Sequence, residues 1–119
     1  MQYPLPIFDH IRDKTLILVD YKLSMGVCVG LAKAFSNETD LVHSFIFENC
    51  GITDEMLAIL LGGMLRLTRV RSLIYRRNEF GEMSASLMEH ILKRFMPHNI
   101  EELRIERCEV TKKGLGILL

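Results

Sequence analysis

The stretch VHSFIFENCGITDEMLAILLGGMLRL, residues 42–67, decides how this chain folds. It begins with apolar residues in the alternating pattern of a β-strand that buries one face. It then turns at Cys50 and continues, after a predicted capping residue at Thr53, into an apolar segment with helical spacing. The apolar positions of that segment are Leu57, Leu60, Leu61, Met64 and Leu65. These residues predict a strand, a turn and a helix in succession.

The same unit recurs before and after this stretch. The position of Val42 is taken by Val70 in the next copy and by Ile100 in the one after it. The other residues that repeat are Phe45, Phe47, Cys50 and Ile52; Leu73, Tyr75, Asn78 and Phe80; and Leu103, Ile105, Cys108 and Val110. A degenerate first copy starts at Asp13 and has Tyr21 at the position of the turn residue. The chain is therefore predicted to contain about four copies.

These copies set the predicted domain organisation. They span about residues 13–41, 42–69, 70–99 and 100–119. Residues 1–12 precede them as a lead-in of irregular backbone, because Pro4 and Pro6 fix backbone angles and lack amide donors. The fourth copy stops inside its own helix, so we expect the chain to be a segment of a longer array. Its uncovered apolar end is expected to make the isolated segment self-associate.

The repeated pattern L-x-x-L-x-L-x-x-N/C-x-L resembles that of leucine-rich repeat proteins. The ninth position alternates between Cys50, Asn78 and Cys108, which is similar to the ribonuclease-inhibitor-like subclass with cysteine-type and asparagine-type repeats of about 28 residues. The resemblance covers roughly residues 13–119. It implies an α/β solenoid of about four repeats, with a parallel sheet on the concave side and helices on the convex side.

Local signals predict where the helices begin and end. Ser24 is placed to cap the first helix, and residues 36–38 form a polar turn after it. Gly62 and Gly63 each lower the helix propensity of the second helix by about 1 kcal/mol relative to alanine. We therefore expect either a short second helix or close packing at these glycines. Pro97 is predicted to end the third helix.

Composition indicates one ordinary globular domain of 119 residues, of which 49% are hydrophobic and 25% charged. The 15 basic and 15 acidic residues give a net charge of zero, so neither a nucleic acid nor a membrane is expected as a partner. The N-terminus lacks the pattern of a secretory signal, and the longest apolar stretch is about half a membrane span. Three cysteines suit a reducing compartment. These features predict an intracellular, cytoplasmic protein, with the cytoskeleton and the cilium left open.

The outward positions of the strands form the predicted protein-binding site. The inner sheet face is the usual binding surface of leucine-rich repeats, so the resemblance implies a site there, and its arginines favour an acidic or mixed protein surface as partner. The predicted site residues are Ile46, Glu48, Arg71, Ile74, Arg76, Arg77, Arg104, Glu106 and Arg107. His43 is predicted to face outward in the same row as Ile46. The alternative interpretation is that opposite charges in adjacent rows pair with one another on a solvated face.

The sequence contains no pattern that predicts catalysis or metal binding. Cys50 and Cys108 are expected two strands apart, about 10 Å, which is too far for a disulfide. We predict instead that each satisfies its turn as Asn78 does. The histidines are scattered, at His10, His43, His90 and His98, with no nucleophile motif beside them. No enzymatic activity, metal or cofactor is therefore expected.

The function that this pattern favours is a non-enzymatic protein-interaction scaffold in a larger intracellular assembly, for example a cytoskeletal or axonemal one. Two alternatives use the same repeat class. Ran GTPase-activating proteins resemble it and stimulate a partner's hydrolysis, and regulatory sensors of the nucleotide-binding type also contain it. Measuring phosphate release from a small GTPase distinguishes the activator from the scaffold.

Overall fold

A mostly parallel sheet with helices on one face forms the centre of the molecule. The structure is a computed structural model and describes residue 7, residues 9–95 and residues 100–110. Its strands are β1 (Ile11–Arg12), β2 (Thr15–Val19), β3 (Ser44–Glu48), β4 (Ser72–Arg76), β5 (Glu79–Phe80), β6 (Glu102–Glu106) and β7 (Glu109–Val110). The helices of the described part are α1 (Met25–Asn37), α2 (Asp54–Met64) and α3 (Glu82–Phe95). The predicted α/β class is confirmed.

The main sheet has the strand order β1-β2-β3-β4-β6. Strands β2, β3, β4 and β6 are parallel, and Thr15, Ser44, Ser72 and Glu102 are successive partners in it. These partners recur along the chain at the spacing that the sequence pattern predicts. A helix follows each of β2, β3 and β4, as parallel neighbours require a crossover connection. Strands β5 and β7 form a second, two-stranded parallel sheet.

Alternate strand residues are buried beneath the helices. In β3, Phe45 and Phe47 are fully buried, whereas Ser44, Ile46 and Glu48, which alternate with them, are half-buried on the opposite face. Phe35 of α1 packs edge-on against Phe45, with ring centroids 5.3 Å apart. Helix α2 packs between α1 and α3. The hydrophobic core therefore lies between one face of the sheet and the three helices, and the other face carries the candidate site.

The predicted N-terminal caps of the first two helices are confirmed. The Ser24 hydroxyl accepts a hydrogen bond from the amide of Val27, and Thr53 accepts one from Met56, each at 3.2 Å. The expected polar turn at residues 36–38 is wrong in part, because α1 continues through Asn37. The buried face of α1 packs against the core, and this packing stabilises helical backbone beyond the last apolar residue, Phe35.

The second glycine of α2 allows two helices to approach closely. A Cβ atom added to Gly63 would lie 2.6 Å from the Cα atom of Ala32 in α1. A Cβ atom at Gly62 would meet no atom within 4 Å. The expectation of close packing is therefore confirmed for Gly63.

The N-terminal edge of the sheet differs from the prediction. Strand β1 pairs antiparallel with β2, so the lead-in is not irregular at Ile11–Arg12. The two strands are joined by Asp13 and Lys14, whose φ angles of 52° and 61° match the tight hairpin turn that follows the twist of its strands. The edge strand was missed because a two-residue strand has no periodic pattern.

At the other edge of the main sheet, β6 is less covered than its neighbours. Ile105 pairs with the buried Tyr75 in the register, yet its side chain is 37% exposed. No helix occurs within residues 100–110, whereas a helix follows each of β2, β3 and β4. The predicted roles of Pro4, Pro6 and Pro97, and the uncovered apolar end with Leu115, Leu118 and Leu119, lie outside the described residues. Among the described helices, none is both long and apolar enough to cross a membrane.

Candidate protein-binding surface

The outward residues of the four parallel strands form columns across the sheet, which we call the sheet face. The central column contains Ile17, Ile46, Ile74 and Arg104, because these residues are partners in successive strand pairs. The neighbouring column contains Val19, Glu48, Arg76 and Glu106. The face therefore changes from apolar at β2 to charged at β6, since Ile17 and Val19 are large exposed hydrophobic residues.

The predicted site residues occupy three places along the strands. Ile46, Glu48, Ile74, Arg76, Arg104 and Glu106 lie on the sheet face. Arg71 precedes β4, at the end where the parallel strands begin. Arg77 and Arg107 follow β4 and β6, in the turns at the opposite end. The structure therefore does not bring these nine residues together as one patch.

Ion pairs connect the charged residues of the sheet face. Arg76 lies between Glu48 and Glu106, with nitrogen–oxygen distances of 3.3 Å and 3.1 Å. The longer contact is a hydrogen bond, whereas the Nε atom of Arg76 has no hydrogen-bond partner among the described residues, so its contact with Glu106 is purely electrostatic. Arg104 pairs with Glu102 at 2.6 Å. Such partly exposed pairs each contribute at most about 1 kcal/mol to stability, but they hold the arginine side chains in defined positions.

Arg71 has its own partner at the start of the strands. Its Nε atom donates a hydrogen bond of 2.7 Å to Glu101 in the neighbouring row. Together with the pairs of Arg76, this contact confirms that opposite charges in adjacent rows pair with one another, whereas Arg104 pairs with Glu102 of its own strand. Pairing alone does not decide between a solvated face and a binding surface, because preorganised charged groups occur in both.

The turns after the strands contain a column of residues with left-handed backbone. Asp20, Asn49, Arg77 and Arg107 have φ angles of 55°, 52°, 53° and 52°. The Asn49 side chain donates a hydrogen bond of 2.8 Å to Asp20. Among the described residues, Arg77 and Arg107 have no ion pair. They line a cavity of about 430 Å³ together with Asn78.

The next position of each turn confirms the predicted equivalence of cysteine and asparagine. The Cys50 thiol donates to the carbonyls of Leu18 and Glu48, at 3.2 Å and 3.4 Å. The Asn78 amide donates to the equivalent carbonyls of Phe47 and Arg76, at 3.2 Å and 2.8 Å. Cys108 contacts the carbonyls of Tyr75 and Glu106 in the same way. These side chains satisfy backbone groups at the end of each strand.

The cysteines are suited to this structural role by their environment. Burial raises the pKa of Cys28 to about 11, with a further contribution from the nearby Cys50. Burial also raises the pKa values of Cys50 and Cys108. All three are free thiols. A raised pKa keeps all three thiols protonated and therefore poor nucleophiles, and it preserves the proton that Cys50 and Cys108 donate to backbone carbonyls.

One residue that was predicted to face outward is buried instead. His43 is only 8% exposed, and its Nε2 atom lies 2.7 Å from the Asp40 carboxylate. Lys14 and Thr68 also donate hydrogen bonds to Asp40, at 3.1 Å and 3.2 Å. The hydrogen bond with His43, followed by those with Lys14 and Thr68, lowers the pKa of Asp40 to about 2. We call these four residues the Asp40 cluster.

The Asp40 cluster was missed because its members belong to different copies of the repeated unit. Lys14 lies before β2, Asp40 and His43 lie before β3, and Thr68 lies before β4. The spacing of Asp40 and His43 was visible in the sequence, but their contact depends on the path of a loop. The cluster connects the segments that enter three successive strands.

The described residues contain no group of three or more histidine, cysteine or acidic side chains arranged to hold a metal ion. Comparisons with protein-family models, with curated proteins and with solved structures find no match for this chain. The candidate function therefore depends on the geometry of the surface itself.

Proposed function

We propose that this chain is a segment of a ribonuclease-inhibitor-like leucine-rich repeat solenoid and serves as a non-enzymatic scaffold that binds other proteins in an intracellular assembly. Two features support the repeat assignment. The register of the parallel strands follows the spacing of the repeated sequence pattern. The residues Cys50, Asn78 and Cys108 make equivalent contacts in successive turns.

The sheet face is the proposed binding surface. The observation that carries this proposal is the column of Ile17, Ile46 and Ile74 beside ion-paired arginines on a face that no described helix covers. Ile17 is exposed, and Ile46 and Ile74 are half-buried. Apolar surface next to arginine favours an interface hot spot, because the apolar surface is desolvated and the guanidinium pairs with carboxylates. The partner surface would therefore be apolar at its centre and acidic or mixed at the side facing Arg76 and Arg104.

Replacing isoleucines of the apolar column tests the surface more directly than replacing an arginine. Removal of an ion-paired arginine would also leave its carboxylate partners unpaired. In a pull-down followed by identification of the partner, Ile46→Ser with Ile74→Ser is expected to weaken affinity for that partner at least about tenfold. The matched control is Met25→Ser with Val29→Ser, two exposed apolar residues of α1. Ile46 and Ile74 are half-buried strand residues, so their double variant is expected to melt at a lower temperature than the control, and binding is compared at a temperature at which all chains are folded.

The proposal fails if the sheet-face variant binds the identified partner as tightly as the unchanged chain, or if the α1 control weakens binding equally. The arginine pair offers a second measurement: Arg76→Ala with Arg104→Ala is expected to weaken the same interaction. If the chain stimulates phosphate release from a small GTPase, the scaffold function is wrong and the Ran-type activator function takes its place.

A further inference from the structure

The turns that follow β4 and β6 line an open cavity separate from the sheet face. Its volume is about 430 Å³, and its lining includes Thr53 before α2, Arg77 and Asn78 after β4, and Arg107 after β6. The two arginine turns are neighbours, because the amide of Arg77 donates a hydrogen bond of 3.2 Å to the carbonyl of Glu106. The cavity therefore brings together residues from three successive copies of the repeated unit.

The two arginines of this cavity differ from the ion-paired arginines of the strands and of the segment before β4. Arg71, Arg76 and Arg104 each have a carboxylate partner. Among the described residues, neither Arg77 nor Arg107 has an ion pair or a side-chain hydrogen bond. Both arginines line the same cavity from neighbouring turns, so an anion bound between them would interact favourably with two positive charges.

The backbone holds both arginines in a conformation that their side chains do not favour. Their φ angles of 53° and 52° are in the left-handed region, where arginine is less stable than asparagine or glycine. The preceding rows have Asp20 and Asn49 at the same position, and these two side chains satisfy each other through a hydrogen bond of 2.8 Å. Among the described residues, the side chains of Arg77 and Arg107 form no such hydrogen bond. The donors of their guanidinium groups therefore remain available to a ligand.

The remaining polar groups of the cavity indicate the charge of that ligand. Asn78 uses its side chain on backbone groups, and Glu79 accepts a hydrogen bond of 3.1 Å from the amide of Asp54. Glu109 also lines the cavity. Glu79 and Glu109 would repel a doubly charged phosphate more strongly than a singly charged carboxylate, so the carboxylate is favoured as the ligand of Arg77 and Arg107. Guanidinium groups bind a planar carboxylate through paired hydrogen bonds.

We propose that this cavity binds a glutamate or aspartate carboxylate of an acidic segment in a protein partner, through Arg77 and Arg107. This site rests on the proposed scaffold function and extends it with a second contact, in the turns that follow β4 and β6. We call this place the rim site. This contact adds a carboxylate-binding site to the apolar contact and the arginines of the sheet face.

The test uses the whole chain and two acetylated, amidated Gly/Ser peptides, one with two adjacent glutamates and one with glutamines in their place. Binding is followed by the backbone amide and arginine side-chain signals in ¹H–¹⁵N NMR spectra. We expect only the glutamate peptide to shift the signals of Arg77, Asn78 and Arg107. Arg77→Asn with Arg107→Asn is expected to weaken its affinity at least about tenfold. Asparagine is chosen because it adopts positive φ readily, so the turns are retained.

The matched control is Arg66→Gln with Arg69→Gln, which removes the same charge from two exposed arginines between α2 and β4. This control is expected to bind the glutamate peptide as the unchanged chain does. Equal weakening by both double variants would show a general charge effect and overturn the assigned site. The same conclusion follows if the glutamine peptide binds equally well, or if the asparagine variant binds unchanged.

Inorganic phosphate serves as a further probe and is expected to bind more weakly than the glutamate peptide. Tighter phosphate binding at the same signals would overturn the carboxylate assignment. Failure of the rim site is distinguishable from failure of the scaffold function. If the glutamate peptide does not bind but the Ile46→Ser/Ile74→Ser variant still loses the identified partner, the rim proposal is wrong and the scaffold proposal stands.

Discussion

At the scale of single residues, Asn78 has a role in its turn that the cysteines match only in part. Its side-chain oxygen accepts hydrogen bonds from the amides of Cys50 and Ile52, at 2.8 Å and 3.3 Å. Its side-chain nitrogen donates to two carbonyls. A thiol donates a weak hydrogen bond and is a poor acceptor. Asn78 therefore links the second and third copies of the unit both as a hydrogen-bond donor and as an acceptor.

We predict that Asn78→Ala destabilises the chain by about 2–4 kcal/mol, because buried amides and carbonyls lose their partners. Asn78→Cys is expected to cost less, since cysteine occupies the same position in the neighbouring turns. The free energy of unfolding is measured by urea denaturation. Asn37→Ala, at the exposed end of α1, serves as control and should change stability by less than about 0.5 kcal/mol. Equal stability of the Asn78→Ala variant and the unchanged chain would refute this role.

At the scale of secondary-structure elements, the contact between α1 and α2 depends on one of two adjacent glycines. Gly63 lies against the backbone of Ala32, whereas no atom lies near the position of a Cβ at Gly62. Both glycines belong to the same helix, so they carry the same intrinsic cost in helix propensity. The two positions therefore differ only in whether neighbouring atoms of α1 lie next to the glycine.

The two glycines are expected to respond to alanine in opposite directions. Gly62→Ala should stabilise the chain by up to about 1 kcal/mol, because alanine favours the helix and meets no neighbour. Gly63→Ala should destabilise it by about 1–3 kcal/mol, because its methyl group overlaps the backbone of α1 and forces the helices apart. Thermal and urea unfolding of the two variants, compared side by side, measure the difference. A change of the same sign in both would contradict the close packing at Gly63.

At the scale of the whole molecule, the Asp40 cluster connects the segments that enter three successive strands, β2, β3 and β4. Because its hydrogen bonds lower the pKa of Asp40 from 3.8 to about 2, the folded chain favours the ionised carboxylate more than the unfolded chain does. The resulting stabilisation is fully present above about pH 4 and is lost as pH falls through the folded pKa.

We predict that Asp40→Asn lowers the midpoint of urea unfolding at pH 5 and that this difference shrinks between pH 4 and pH 2, in the window set by the two pKa values. Urea titrations at closely spaced pH values measure the effect. The control is Asp9→Asn, at an exposed carboxylate without an ion pair among the described residues. The midpoints of urea unfolding of the Asp40→Asn variant and the unchanged chain could also differ by the same amount at pH 5 and at pH 2. That result would show that the charge of the Asp40 carboxylate does not contribute to stability.

The sequence determined the features that depend on periodic spacing. The repeated apolar positions predicted the parallel register, because shifting a strand by one residue would expose residues such as Phe45 and Phe47. Ser24 and Thr53 predicted the starts of their helices because a cap acts over a few residues of local backbone. The equivalence of Cys50 and Asn78 also followed from their shared position in the repeat.

Only the tertiary structure decided which polar residues meet. Arg76 and Arg77 are adjacent in the chain, yet one lies between two carboxylates and the other lines a cavity without an ion pair among the described residues. His43 was predicted to face outward, but the fold buries it against Asp40. Such contacts join side chains from different copies or depend on loop paths and rotamers. Local sequence spacing does not specify these, because they follow from the stacking of the copies in three dimensions.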